Sequence, residues 1–163
     1  MNRNTKFATG LSILIAFAIL LLLSQFNFSA LPEPGKMEIF LATKFRSSII
    51  HRASRRSIPP PPSDVKAGLE EGDNLYGAEC AACHGLDGHS PTDAGRWMYP
   101  RAADLTSSEV QQYSDRELFW IVSNGIRFTG MPAFAQVETN EHIWDLVLYL
   151  RTLQRVGPIM RFE

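Results

Sequence analysis

The segment Cys80-Ala81-Ala82-Cys83-His84 decides how the rest of the chain is interpreted, because it has the C-x-x-C-H spacing typical of c-type haem attachment. Two thiols at a helix end with this spacing can each add across a vinyl group of the haem, which gives two thioether bonds. The next residue, His84, then lies beneath the porphyrin and can donate an imidazole nitrogen to the iron. The sequence therefore predicts one covalently attached haem c, held by Cys80, Cys83 and His84.

Two other kinds of site also use a pair of cysteines. A thioredoxin-like redox pair has a βαβ context, and a zinc site has a second pair of ligands. The chain contains only these 2 cysteines and shows no βαβ pattern, so we interpret the motif as haem attachment. Both thiols are then used in thioether bonds, which suits an exported protein.

A six-coordinate haem iron needs a second axial ligand, and the candidates are Met98, Met131, Met160, His89 and His142. Met131 lies in the segment 124–134, where Gly130 permits a close backbone approach and Pro132 stiffens the loop. The phenylalanines of this segment, Phe128 and Phe134, are expected to shield the thioether from water. The two other methionines suit core packing. His89 follows the attachment motif too closely to cross easily to the other haem face, and His142 begins a helix at the surface. We predict that Met131 is the sixth iron ligand.

The predicted globular domain, residues 63–163, is long enough for one small hydrophobic core. Capping residues and apolar periodicity predict three helices, at Asp64–Ala81, Asp115–Asn124 and Glu141–Leu153. Gly, Pro, Asp and Ser dominate residues 85–108, which predicts mostly loop. Since no strand pattern is convincing, the predicted fold class is all-α.

The domain resembles class I cytochromes c over about residues 63–153. Besides the attachment motif and the methionine loop, Gly72 and Tyr76 stand where that family places a glycine and an aromatic in its first helix, and the segment containing Trp144, Leu146, Tyr149 and Leu150 resembles its last helix. The resemblance implies a fold of helices and loops wrapped around one covalent haem, with the last helix crossing the first at Gly72.

The resemblance also suggests which residues support the haem. In the family, a proline carbonyl accepts a hydrogen bond from the second nitrogen of the ligating histidine, which fixes the ring and raises its basicity. Pro100 is the residue predicted for that role, with Pro91 as the alternative. We expect Arg127, Arg101 and Trp97 to hydrogen-bond the haem propionates, and a solvated surface position is the alternative for each arginine.

Residues 1–62 differ sharply in charge from the domain that follows. They carry eight basic and two acidic side chains, a net charge of +6, whereas residues 63–163 carry eight against fifteen, a net charge of −7. Nucleic-acid binding is not expected of so acidic a domain, because phosphate contacts need cationic side chains.

The first 30 residues have the pattern of a membrane anchor. Arg3 and Lys6 precede a mostly apolar stretch, residues 7–28, which as a helix would extend about 33 Å, the thickness of a bilayer's hydrocarbon core. We predict that residues 1–30 form a signal anchor, a single transmembrane helix in the lipid bilayer with its N-terminus in the cytoplasm. Cleavage as a signal peptide after Ala30 is the alternative.

Residues 31–62 are predicted to be a basic amphipathic segment followed by a Pro-rich linker. Met37, Leu41, Phe45 and Ile49 recur every fourth residue among basic side chains, which favours a helix on an anionic membrane surface. A solvated spacer and a helix packed on a partner subunit are the alternatives. The run Pro59–Pro62 predicts a stiff polyproline rod of about 12 Å that ends at the domain boundary and holds the domain away from the arm.

Iron held by His84 and Met131 has no open position, so an electron carrier is expected rather than an enzyme such as a peroxidase. The predicted function is one-electron transfer by a membrane-anchored mono-haem cytochrome of a respiratory or photosynthetic chain. We place it in the bacterial inner membrane, with the haem domain on the periplasmic side and membrane redox complexes as electron donor and acceptor. The alternative is a fixed haem c subunit of a larger membrane redox complex.

Overall fold

The computed structural model describes residues 3–24, 29–56, 58–89 and 92–153. Within these residues the secondary structure is entirely helical, with eight α-helices, one π-helical turn and one 3-10 turn. The chain divides into two compact units, Met1–Glu33 and Pro34–Glu163. The predicted all-α fold class is confirmed.

The first unit contains helix α1, Arg3–Ser24. Apolar side chains along it, from Leu11 to Leu21, are at least half exposed. Among the residues that the structure describes, no helix combines the length and the apolar character needed to cross a membrane. The predicted anchor, residues 1–30, is therefore not supported by the described part of the chain, and residues 1–2 and 25–28 of it lie outside that part.

The second unit begins with helix α2, Lys36–Ala53, which corresponds to the predicted amphipathic segment. It packs against helix α7, Asp115–Asn124, and buries Ile50, which is only 2% exposed. Polar contacts reinforce this packing, because the imidazole of His51 pairs with a carboxylate oxygen of Glu117 at 3.0 Å. The predicted helix is present, and it contacts the domain of its own chain.

The beginning of the proline run also contacts the domain. The Trp144 indole N–H donates to the Pro59 carbonyl at 3.0 Å, and the Arg116 guanidinium donates to the carbonyls of Ser54 and Arg56. The predicted rod that holds the domain away from the arm is thus not observed here. The reason is that a proline-rich segment has no internal hydrogen bonds, so the Pro59 carbonyl accepts from the neighbouring Trp144 side chain.

The C-x-x-C-H segment ends a continuous helical stretch. Helix α3, Val65–Leu75, passes through the π-helical turn Tyr76–Cys80 into the single-turn helix α4, Ala81–His84. The Asp64 carboxylate caps α3 by accepting from two backbone N–H groups, each at 3.1 Å. Gly85 ends the stretch with a φ of 76°, a conformation that glycine adopts without strain. The predicted helix is confirmed and continues to the histidine.

Helix α8, Asn140–Leu153, crosses α3 in direct backbone contact. A Cβ atom at Gly72 would overlap the Asp145 carbonyl group and press on the Tyr149 Cβ atom. Next to this contact, the rings of Tyr76 and Tyr149 lie 5.0 Å apart. The crossing at Gly72 that the resemblance implied is therefore present.

The remaining helices show which local signals the sequence carries. Helix α7 begins at a capping box, in which the Ser114 hydroxyl accepts from the Glu117 N–H and the Glu117 carboxylate accepts from the Ser114 N–H. Helices α5, Asp93–Arg96, and α6, Ser108–Gln111, were not predicted. Each is a single turn, which is too short for an apolar repeat to indicate it.

We predict that Gly72→Ala lowers the free energy of unfolding by about 1–3 kcal/mol, because the added methyl group forces α3 and α8 apart. Gly77→Ala is the matched control, since no atom lies within 4 Å of a Cβ added there. The control should change stability by less than about 1 kcal/mol. Chemical denaturation followed by circular dichroism measures both variants, and equal stabilities would contradict a close crossing at Gly72.

Candidate haem-binding site

A largely apolar cavity lies beside the C-x-x-C-H segment in the second unit. Cys80, Cys83 and His84 line one part of it, and Met131 lines another. Most of the remaining wall consists of apolar side chains from α7, α8 and the loops, among them Leu118, Ile121, Val122, Phe134 and Leu150. Met131, which is distant in sequence from Cys80, Cys83 and His84, therefore lines the same cavity as these three residues.

The His84 side chain is oriented by a hydrogen bond to the main chain. Its Nδ1 atom lies 2.8 Å from the Ala103 carbonyl oxygen. Since a carbonyl can only accept, Nδ1 carries the proton and the Nε2 lone pair stays available. Burial lowers the pKa of His84, because the imidazolium form loses hydration, although the bond to Ala103 opposes this effect. A neutral imidazole with a free Nε2 atom is the form that binds a metal.

The structure corrects the predicted acceptor for His84. Pro100 lines the cavity, but the carbonyl that His84 contacts belongs to Ala103. Gly95 packs directly on the Cys83 carbonyl. The Ala102 N–H donates to the Gly95 carbonyl at 3.1 Å, and this bond brings the next residue, Ala103, beside His84. The alternative acceptor, at position 91, lies outside the described residues.

The loop after α7 presents Met131 to the cavity. Gly125 ends α7 with a φ of 63° and packs against the backbone of Met131 and Pro132. The Ile126 N–H donates to the Met131 carbonyl at 3.3 Å, and the Met131 N–H donates to the Thr129 hydroxyl at 3.1 Å. The loop is thus folded back on itself, with its methionine side chain facing the cavity.

Only one of the two nearby phenylalanines shields this methionine. Phe134 lines the cavity, whereas Phe128 is 91% exposed. Phe128 also has a φ of 65°, which is rare for a bulky residue and sets it on the outer side of the loop. The sequence pattern alone did not distinguish the two rings.

The other candidate axial ligands differ in position. His89 bonds to the Thr106 hydroxyl at 3.0 Å, His142 bonds to the Glu138 carboxylate at 2.5 Å, and neither lines the cavity. Met98 does line the cavity, although its sequence context suggested core packing, and its sulfur packs closely on Gly130. The methionine at position 160 lies outside the described residues. Two methionines, Met131 and Met98, therefore line the cavity.

The predicted propionate-binding residues are only partly brought together. Arg101 lines the cavity, but Arg127 is exposed and Trp97 is 88% exposed, and neither is among the lining residues. Two charged residues that we did not predict do line it, Arg46 from α2 and Glu79 from the helix that carries the cysteines. The sequence signal for Glu79 was its position beside Cys80, whereas Arg46 precedes the predicted domain and had no such signal.

The environment of Cys80 differs from that of a reactive thiol. Burial, with smaller contributions from Glu79 and Cys83, raises the pKa of Cys80 to about 12. Redox-active and zinc-binding thiols are stabilised as thiolates, usually by nearby positive charge or a metal, which is the opposite condition. Within the described residues, no group of three or more His, Cys, Asp or Glu side chains is arranged to hold a metal ion.

The residues around the cavity fit a haem c. Two thiols suit two vinyl groups, an imidazole with a free Nε2 atom and a thioether suit the two axial positions, and apolar walls suit the porphyrin faces.

One Glu79 carboxylate oxygen is buried without a hydrogen-bond partner, and burial together with Glu138 raises the pKa of Glu79.

Comparisons with known proteins agree with this fit. Residues 67–150, just over half of the chain, match the family model described as cytochrome c oxidase, cbb3-type, subunit III. None of the curated proteins matches the chain significantly. Among solved structures, a chain of the reducing HAO-like protein complex of Kuenenia stuttgartiensis is similar, with a TM-score of 0.50 and 22% sequence identity.

That alignment covers 63% of this chain and 54% of the other, so this chain spans about half the length of its structural neighbour. At this identity the likeness shows the fold alone. The family match, in contrast, includes the attachment motif and the methionine loop. The chain therefore belongs to the cytochrome c oxidase, cbb3-type, subunit III family, as a class I c-type cytochrome domain with a covalently bound haem c that transfers electrons.

Proposed function

We propose that the chain is a single-haem electron carrier in which Cys80 and Cys83 attach the haem and His84 and Met131 ligate its iron. The observation that carries this proposal is that all four side chains face one cavity, while the Nδ1 proton of His84 is already bound by the Ala103 carbonyl. The imidazole is thus oriented with only Nε2 available for the iron.

The bound haem would supply a one-electron couple between ferrous and ferric iron. The Ala103 carbonyl fixes the His84 ring and raises its basicity. The thioether of Met131 is a soft ligand that favours the ferrous state. The apolar walls exclude water and disfavour the extra positive charge of the ferric state, so ligand and walls both raise the reduction potential. With His84 and Met131 as ligands, the iron would have no open position for a substrate.

The first test replaces the proposed sulfur ligand. Met131→Ala should abolish the weak far-red absorption band that sulfur ligation gives ferric c-type haem. It should also lower the reduction equilibrium constant about 100-fold, or about 120 mV at 59 mV per tenfold change for one electron. Visible spectroscopy and a redox titration measure both effects.

Met98→Leu is the matched control for this experiment, because Met98 is the other thioether that lines the cavity. The control should keep the far-red band and a potential close to that of the unmodified protein. If the band survives in Met131→Ala and disappears in Met98→Leu, Met98 is the ligand and our assignment is wrong.

The second test concerns haem attachment. In a Cys80→Ser, Cys83→Ser double variant, no thioether bond can form, so acidified acetone should extract any haem and the protein mass should fall by one haem. Ala82→Ser is the control, since it adds an exposed hydroxyl within the motif and leaves both sulfurs in place. Haem that resists extraction from the double variant would show that attachment lies elsewhere.

We also propose that residues 1–30 attach this carrier to the bacterial inner membrane, with residues 63–163 and their haem on the periplasmic side. Arg3 and Lys6 before the apolar stretch, and the exposed apolar side chains of α1, support the attachment. The proposed electron donor and acceptor are membrane redox complexes of a respiratory or photosynthetic chain. A fixed subunit of a larger redox complex is the second candidate, which the family's description as an oxidase subunit favours.

Extraction from membranes separates these two candidates. A carrier should leave the membrane in mild detergent and elute alone on size-exclusion chromatography, whereas a fixed subunit should elute with companions in constant ratio. A variant lacking residues 1–30, given a cleavable export signal, is the control and should appear in the periplasmic fraction without detergent. If that variant remains in the membrane fraction, residues 1–30 are not what attaches the protein.

A further inference from the structure

Helix α2 forms part of the wall of the haem cavity, although it lies before the residues that match the family. The match begins at residue 67, whereas α2 is Lys36–Ala53. Two of its residues, Arg46 and Ile50, line the cavity. They lie four residues apart and therefore on the same face of the helix. This wall is thus an addition to the part of the domain that the family model matches.

Contacts near both ends hold α2 across the cavity. Towards its C-terminus, the Ser47 hydroxyl lies 3.1 Å from the Tyr113 hydroxyl, just before α7. Towards its N-terminus, the Tyr99 hydroxyl donates to the Glu38 carboxylate at 2.8 Å. Tyr99 directly precedes Pro100, which lines the cavity. The helix therefore connects the α7 side of the cavity to the loop after α5.

Arg46 faces this cavity without an internal partner. It is half-buried, and within the described residues its guanidinium forms no hydrogen bond or ion pair. A cation against an apolar wall is costly unless an anion approaches it. The one acidic residue among the lining side chains, Glu79, lies beyond ion-pair distance. Arg46 thus lines the cavity with a guanidinium that has no carboxylate partner among the described residues.

We propose that Arg46 is a positioning residue for the haem, and that its guanidinium pairs with a propionate carboxylate. The inference rests on the proposed function, because a haem in this cavity brings the carboxylate. A guanidinium is suited to the role, since its planar array of donors matches a carboxylate. The positive charge of Arg46 offsets the negative charge of the propionate, which would otherwise stabilise ferric iron. Arg46 therefore raises the reduction potential, and α2 closes the cavity over the propionate.

The test compares Arg46→Gln with Arg52→Gln in the full-length haem-loaded protein. Both variants remove one positive charge from α2, but Arg52 is exposed and does not line the cavity. A redox titration should show the reduction equilibrium constant falling threefold to tenfold in Arg46→Gln, where tenfold corresponds to 59 mV for one electron. The Arg52→Gln constant should change less than twofold, and added salt should remove that change, since exposed charges are screened.

Arg46→Lys is a second variant, which retains the positive charge and should keep the reduction equilibrium constant within twofold of the unmodified protein. Since the Arg46 side chain forms no hydrogen bond within the described residues, neither substitution removes a side-chain bond there. Equal constants for Arg46→Gln and Arg52→Gln, or equal losses in Arg46→Gln and Arg46→Lys, would overturn the proposal. A shift in Arg46→Gln that disappears in high salt would also overturn it.

Failure of this inference is distinguishable from failure of the proposed function. If the unmodified protein lacks covalent haem, or if the haem survives extraction from the double cysteine variant, the haem site itself is wrong. If the unmodified protein binds haem through both cysteines while Arg46→Gln leaves the potential unchanged, the haem site stands and the role of Arg46 is refuted.

Discussion

The close backbone contact between α3 and α8 at Gly72 is the constraint on which the site depends. Because Gly72 has no side chain, the Asp145 backbone lies directly against α3 and Tyr149 meets Tyr76. The Tyr76 hydroxyl then donates to the Gly85 carbonyl at 2.7 Å, one residue after His84. A packing contact near the end of α3 thus sets the position of the residue that we propose as iron ligand.

Short-range signals explain why much of the fold could be predicted from the sequence. The ends of α7 are marked by Ser114 and Gly125, and both act locally, through a capping box and a positive φ. The attachment motif is equally local, since its chemistry needs only the spacing of Cys80, Cys83 and His84. The single-turn helices α5 and α6 escaped prediction because a serine or threonine cap without a following apolar repeat is not distinguishable from a loop.

The parts of the site that could not be predicted depend on contacts between distant residues. His84 bonds to the backbone carbonyl of Ala103, and because every residue has such a carbonyl, no side chain in the sequence identifies Ala103 as the partner. The hydrogen bond between Ala102 and Gly95 places the Ala103 carbonyl beside His84. Arg46 was not predicted as a cavity residue for a related reason. Its helix is held by residues more than sixty positions later, such as Tyr113, and no local pattern encodes that pairing.

The two faces of α2 explain why its sequence resembles that of a membrane-surface helix. The apolar repeat that suggested this interpretation lies outward, and Met37, Leu41 and Phe45 are 69%, 58% and 71% exposed. The face that packs on the haem domain contains Ile50 and polar residues instead. Since turning Ile50 towards a membrane would break the contacts that close the haem cavity, any bilayer or partner subunit that α2 meets must approach the outward face. Closing the cavity and meeting a partner are therefore compatible, because they use opposite sides of one helix.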